Sequence, residues 1–211
     1  MTLNMEPNPV NRVFILSPAF CGGKRAQMVM SERAQFALAA ELRNGGARLG
    51  DLFSFMSGLY FRGKLAYASK FANPPHRIPG ALVVTPGRGL RPPQDILTLR
   101  DLQEIAQVEV DENNPAYTAP LTRDARLIAE SISADCQVVL LGSIATSKYL
   151  GILGETFGKR LRFPIDFVGR GDMSRGGLLL RRVTEGEELE YVDLEKTSRH
   201  GTRPPKLPRL R

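Results

Sequence analysis

The chain has 211 residues, of which 42% are hydrophobic, with two cysteines and two histidines. That is enough for one well-buried α/β domain, and no apolar run reaches the roughly 18 residues of a membrane-spanning helix. The net charge of +7 is uneven, because Lys196, Arg199, Arg203, Lys206, Arg209 and Arg211 crowd the C-terminus without an acid among them.

Before that tail the chain is close to neutral. Pro204, Pro205 and Pro208 keep the tail from forming a regular helix. Its composition suits an arm drawn to nucleic acid or an acidic partner by counterion release, or a strap lying over the domain. Cys21 and Cys136 each fall in or beside an apolar run, which fits free thiols in a reducing cytoplasm. MTLNMEPNPVN has no basic segment followed by an apolar core, so no secretory signal is expected. Two cysteines and the distant His76 and His200 have no zinc-ligand spacing. No metal, cofactor or membrane partner is expected, and the expected location is the cytoplasm.

RVFILSPAF, Arg12 to Phe20, reads as the first buried strand, ended by Pro18. CGGKRA follows, and a helical pattern runs from Ala26 to Asn44, stopped by Gly45 and Gly46. A second helical region covers Leu49 to Phe71, with Gly58 and Gly63 as places where it breaks. ALVVT, Ala81 to Thr85, is the second buried strand and runs into PGRGLRPP, a loop fixed by proline and glycine. A short helix near Thr98 to Ala106, an edge strand at Val108 to Val110 and a helix from Leu121 to Ser133 come next. CQVVLLG, Cys136 to Gly142, is the third strand, followed by a helix through SIATSKYLGILGETFG. Leu161 to Phe163 is a fourth strand, and ELEYVDL, Glu188 to Leu194, alternates like a terminal edge strand.

Strands alternating with helices imply βαβ units. The expected architecture is α/β: a three-layer Rossmann-like sandwich on a mostly parallel sheet of about four or five strands. Residues 1–9 form a flexible N-terminus, 10–195 a single α/β domain and 196–211 the basic tail.

In open α/β sheets ligands bind outside the carboxyl ends of the strands, so three strand-end loops should share one crevice. The first offers Ser17, Cys21, Gly22, Gly23, Lys24 and Arg25, where free N–H groups at a helix start favour an anion. The spacing is not that of a P-loop. Cys21 is a nucleophile only if its pKa is lowered; as a packing residue it is inert. The second loop offers Thr85, Gly87, Arg88 and Gly89, which also read as an ordinary turn. The third offers Gly142, Ser143 and Thr146, with Ser143 equally a helix cap.

A fourth stretch, FPIDFVGRGDMSRGGLLLRR, carries Gly169, Arg170, Gly171, Asp172, Ser174 and Arg175 ahead of Gly176 and Gly177. Glycines let backbone approach a ligand and arginine forks match phosphate or carboxylate, so this stretch reads as the closing wall of the crevice. Asp172 is a candidate acid–base group beside Lys24 and Cys21, or it simply pairs with Arg170 or Arg175. Tyr60, Phe61 and Tyr67 with Arg62 and Lys64 form either a stacking and phosphate-binding surface or core plus a solvated face.

The run of SPAFCGGKR, LYFRGKLAYASKF, VVTPGRGLRPPQDIL and VVLLGSIATSKYL resembles the uracil-DNA-glycosylase-like superfamily. The nearest branch is that of small bacterial domains related to the catalytic core of archaeosine synthase. Cys21 and Lys24 match a cysteine and lysine after the first strand of that branch. Thr85, Gly87, Gly89 and Pro92 match its second loop, and Gly142 its late strand end. The resemblance implies the same fold and a base- or nucleotide-sized pocket. The expected function is a nucleobase- or nucleotide-directed enzyme, acting on free nucleotide or nucleic acid by N-glycosidic or base-modifying chemistry. The alternative is a non-catalytic nucleotide-sensing or nucleic-acid-binding module, SLOG-like domains included.

Overall fold

The computed structural model describes residues 10–144, 147–193, 201, 202, 204, 205 and 207. In chain order these form β1 (Arg12–Leu16), α1 (Lys24–Met30), α2 (Ala37–Asn44), β2 (Ala47–Arg48), α3 (Leu49–Ser57) and α4 (Leu59–Phe71). Next come β3 (Ala81–Thr85), β4 (Gly89–Arg91), β5 (Ile96–Leu97), α5 (Leu99–Gln107) and α6 (Pro115–Ser131). The chain continues through β6 (Gln137–Leu141), α7 (Ser147–Phe157), β7 (Leu161–Pro164), α8 (Asp172–Glu185) and β8 (Tyr191–Asp193).

The main sheet has six strands in the order β4-β3-β1-β6-β7-β8. The four central strands are parallel, while β4 and β8 join the edges antiparallel. Helices flank this mostly parallel sheet, consistent with the expected three-layer sandwich. The sheet exceeds the expected strand count because its edge strands are only three residues each. Phe14 of β1 sits opposite Ala81 on one side and Val139 on the other. Val13 to Leu16 are fully buried, which is why this strand reads as an unbroken apolar run and not as alternation.

The expected helix from Ala26 to Asn44 is two helices, α1 and α2. Arg43 holds the corner between them, donating to the carbonyls of Ser31 (3.0 Å) and Ala34 (2.6 Å). The helix expected from Leu49 to Phe71 breaks at Gly58, whose φ of 63° suits glycine and ends α3. Val108 to Val110 form no strand. The short edge partner of β3 is instead β4, reached through PGRG as a hairpin turn in which Arg88 N–H donates to Thr85 O (2.9 Å). Helix α6 begins at Pro115, ahead of the expected Leu121, because Asn114 accepts from Ala116 N–H and proline suits the first helical turn.

The largest departure lies in the glycine-rich stretch expected as a loop. After a short 3₁₀ turn at Ile165–Phe167, the residues from Asp172 onward are helical. Gly176 is there because α8 crosses α4 at backbone distance. A Cβ at Gly176 would lie 2.8 Å from Leu59 O, and one at Gly63 would lie 2.8 Å from Gly176 O. Two helices brought this close fix the relative positions of every side chain they carry to the sheet end.

Candidate functional site

The strand order reverses at β1, since the chain moves to β3 on one side and returns to β6 on the other. Such a switch point opens a crevice beyond the strands' carboxyl ends. Two cavities lie there, separated by the Pro18–Phe20 turn. The first, about 380 Å³, is lined by Ser17, Gly23, Lys24, Arg25, Tyr60, Tyr149 and Asp172, among others. The second, about 480 Å³, runs along Cys21, Gly22, Pro86 and the end of α5 with the residues after it, Ile105 to Val110. Phe20 and Tyr149 border both. Phe20 is 80% exposed, an unusual position for a phenylalanine. Its ring lies over Gly22, where a Cβ would come within 2.8 Å of the ring.

Behind Ser17 and Tyr60, two of the residues that line the first cavity, sits Lys64, on α4, with only 1% exposure. Its Nζ donates to Ser17 O (2.6 Å) and lies 2.9 Å from Ser17 Oγ. It also rests 4.5 Å from the Tyr60 ring centre and 4.8 Å from that of Phe61. Burial holds the Lys64 pKa down to about 7; Asp172 opposes this and Arg175 adds to it. The Tyr60 hydroxyl is buried, with the Arg175 guanidinium approaching its oxygen and no acceptor for its proton among the described residues. Burial pushes its pKa up, and the nearby Arg175 charge works against that rise. The phenol therefore keeps its proton.

Asp172, the first residue of α8, lines the cavity with a side chain 71% exposed, 3.6 Å from Arg175. Arg175 itself is buried and faces inward. It donates to Phe167 O through Nε (3.2 Å) and Nη2 (3.1 Å), with its guanidinium over the Phe167 ring. Arg170 donates to Asp166 O (2.9 Å) and Ser174 Oγ (3.3 Å), so those two residues are engaged locally. Gly171 caps α8 in extended conformation, and Gly169 adopts a φ of 72° where the Thr202 carbonyl packs against it. Of the tail, Leu207 packs on the core beside Gly177. Its six basic residues lie outside the described residues, as does Thr146.

The structure thus brings Ser17, Gly23, Lys24, Arg25 and Asp172 around one cavity. Cys21 faces the neighbouring groove. Its thiol contacts Ala19 O at 3.6 Å, and burial pushes its pKa up to about 12, the reverse of what activates a nucleophile. Thr85 is buried and donates to Val83 O (3.1 Å). Arg88 turns away from both cavities to pair with Asp101 (2.6 Å) and Glu104 (2.9 Å). Gly87 and Gly89 carry the positive φ angles of the hairpin turn. Gly142 lets β6 exit against Ser17, since a Cβ there would lie 3.1 Å from Ser17 Cβ, and Ser143 follows it.

The sequence reading did not single out Phe20 or Tyr149, and it gave Lys64 no place apart from its aromatic neighbours. The signal for Lys64 is its register: Tyr60, Phe61, Gly63, Lys64, Tyr67 and Ala68 are the buried residues of α4, at helical spacing. Phe20 has no such signal, because its exposure follows from the turn after β1.

Fold and site together define an α/β protein with a switch-point crevice that combines an exposed ring, exposed cations and a buried amine. Among known proteins no family model, curated protein or solved structure matches the chain. Among the described residues no group of potential ligands could hold a metal ion, and no helix is long and apolar enough to cross a membrane.

Proposed function

We propose that the crevice binds a nucleobase or nucleotide and that the protein is an enzyme acting on it. The observation that carries this reading is Phe20, a ring 80% exposed between two cavities at the sheet's switch point. An aromatic face presented to solvent there is a stacking platform for a base. Lys24 and Arg25 line the adjacent cavity at phosphate-binding positions. Asp172, across the same cavity, is an acceptor for ribose hydroxyls or for the exocyclic amine of a base. In N-glycosidic or base-modifying chemistry Asp172 orients a water and takes its proton, while Tyr60 donates to the departing or developing anion.

The test is titration of the full chain with nucleoside monophosphates, triphosphates and short single-stranded oligonucleotides. Phe20→Ala should weaken binding by roughly 5- to 150-fold, the range of one base–aromatic stack. Lys24→Ala and Arg25→Ala should weaken phosphorylated ligands while leaving nucleosides almost unchanged. Equal affinity of wild type and Phe20→Ala, or binding that ignores the base, would overturn the reading. Comparing oligonucleotide affinity with and without residues 196–211 shows whether the basic tail extends the site.

A further inference from the structure

We propose that Ser17 and Lys64 form a nucleophile–base dyad that attacks an ester or amide carbonyl presented in the first cavity. The inference does not rest on the nucleotide reading, because it needs only an acyl group reaching the cavity floor. It stands on geometry. Ser17 ends β1 and lines the cavity, and its Oγ lies 2.9 Å from the amine of Lys64. A nucleophile within hydrogen-bond reach of a base that is itself held by a third group is the recurring arrangement for covalent catalysis. Here the third group is the Ser17 carbonyl, which takes one N–H of Lys64 at 2.6 Å.

A lysine serves as a base only when neutral. Lys64 is fully enclosed between Ser17 and the faces of Tyr60 and Phe61, with no carboxylate hydrogen-bonded to it. An ammonium so placed carries a large desolvation penalty, and the neutral amine avoids it. Its pKa near 7 agrees with that. One N–H then donates to Ser17 O, the second N–H lies over the rings, and the lone pair receives the Ser17 hydroxyl proton. Tyr60 completes the set as a donor whose proton meets no acceptor among the described residues, available to the oxygen that becomes negative.

The step balances within the chain and water. As Ser17 Oγ bonds to the carbonyl carbon, its proton passes to Lys64, and the carbonyl π electrons move to oxygen, which Tyr60 stabilises. When the intermediate collapses, the leaving alcohol or amine takes the proton back from Lys64. Water then attacks the acyl-Ser17 ester, gives one proton to Lys64 and releases the acid, and Lys64 returns that proton to Ser17 Oγ.

The experiment treats the full chain with a small fluorophosphonate and with an activated acyl ester, locating adducts by mass spectrometry. Labelling is expected at Ser17, with a rate that rises as pH is raised through about 7, where Lys64 loses its proton. Ser17→Ala should abolish that adduct, and Lys64→Met should slow labelling by on the order of 10²- to 10⁴-fold, the usual share of a general base. Lys64→Met keeps an unbranched stem and lacks only the terminal amine; circular dichroism checks that it folds. If it does not fold, the pH profile of the wild type decides the question without it. Absence of label on Ser17 in the folded wild type would overturn the proposal. So would a Lys64→Met variant labelled as fast as wild type, or a rate indifferent to pH between 6 and 8. Loss of nucleotide binding in Phe20→Ala leaves these outcomes untouched, so the two readings fail separately.

Discussion

Gly176→Val is expected to lower stability by about 3 kcal/mol, the upper range for forcing atoms into a packed interior. For a chain of this length that corresponds to a fall of roughly 6–12 °C in Tm. Its neighbour supplies the control: Gly177→Ala should raise stability by about 0.5–1 kcal/mol, since alanine is the better helix former. The difference lies in what each new Cβ meets. At Gly176 it would sit 2.8 Å from Leu59 O and 2.8 Å from Tyr60 Cα, both backbone atoms that cannot turn aside. At Gly177, among the described residues, it meets only Leu207 Cδ1, at a comfortable 3.7 Å. The Gly176 contact also sets the site, because α8 brings Asp172 and Arg175 while α4 brings Tyr60 and Lys64. Spreading these helices separates the cavity's walls, so ligand affinity should fall in Gly176→Val well below its melting temperature and persist in Gly177→Ala. Thermal melts of both variants check the pair, and equal shifts would refute the backbone-contact account.

The same glycines show where the sequence stops being legible. β1, β3 and β6 stand out as apolar runs because strands covered on both faces have no polar alternation to obscure them. Their parallel order and the crevice at their ends follow from general rules of α/β topology. Gly176 and Gly177 instead suggest a loop, because a glycine required for helix contact is indistinguishable in sequence from one required for a turn. Only Gly63 on the facing helix resolves it, and that pairing depends on tertiary structure. Arg175 shows a related difficulty. Its charge suggests a ligand contact, yet the fold turns it inward to the Phe167 carbonyl and ring. Lys64 is the reverse case, a charged residue whose helical register places it inside among aromatics. Side-chain chemistry was legible; direction was not.

Lys64 should also give the protein an unusual dependence of stability on pH. In the unfolded chain its amine titrates near its ordinary value of 10.5, and in the folded chain at about 7. Between those values the unfolded state holds a proton that the folded state lacks, so stability rises with pH. The slope should approach one proton, on the order of 1 kcal/mol per pH unit. Below about pH 7 both states hold the proton and the contribution levels off at its least favourable. The rise is cut short near pH 9. There the unfolded Cys21 thiol ionises at its ordinary value of 9.0, while the buried one keeps its proton up to about 12. The unfolded state then holds fewer protons through that group, which offsets the Lys64 slope. Tyr60, Tyr67, Tyr117 and Tyr191, all pushed up mainly by burial, act in the same sense above 10. Stability should therefore level off near pH 9 and fall as the unfolded tyrosines ionise near 10. Lys64→Met removes the ascending limb, leaving a plateau from pH 7 to 9 and a steeper alkaline decline, because the Lys64 slope no longer offsets that of Cys21. Denaturant unfolding at unit steps from pH 6 to 10 measures both curves. A wild-type curve flat from 7 to 9 would mean that Lys64 is charged in the folded state, and the amine would then be no base for Ser17.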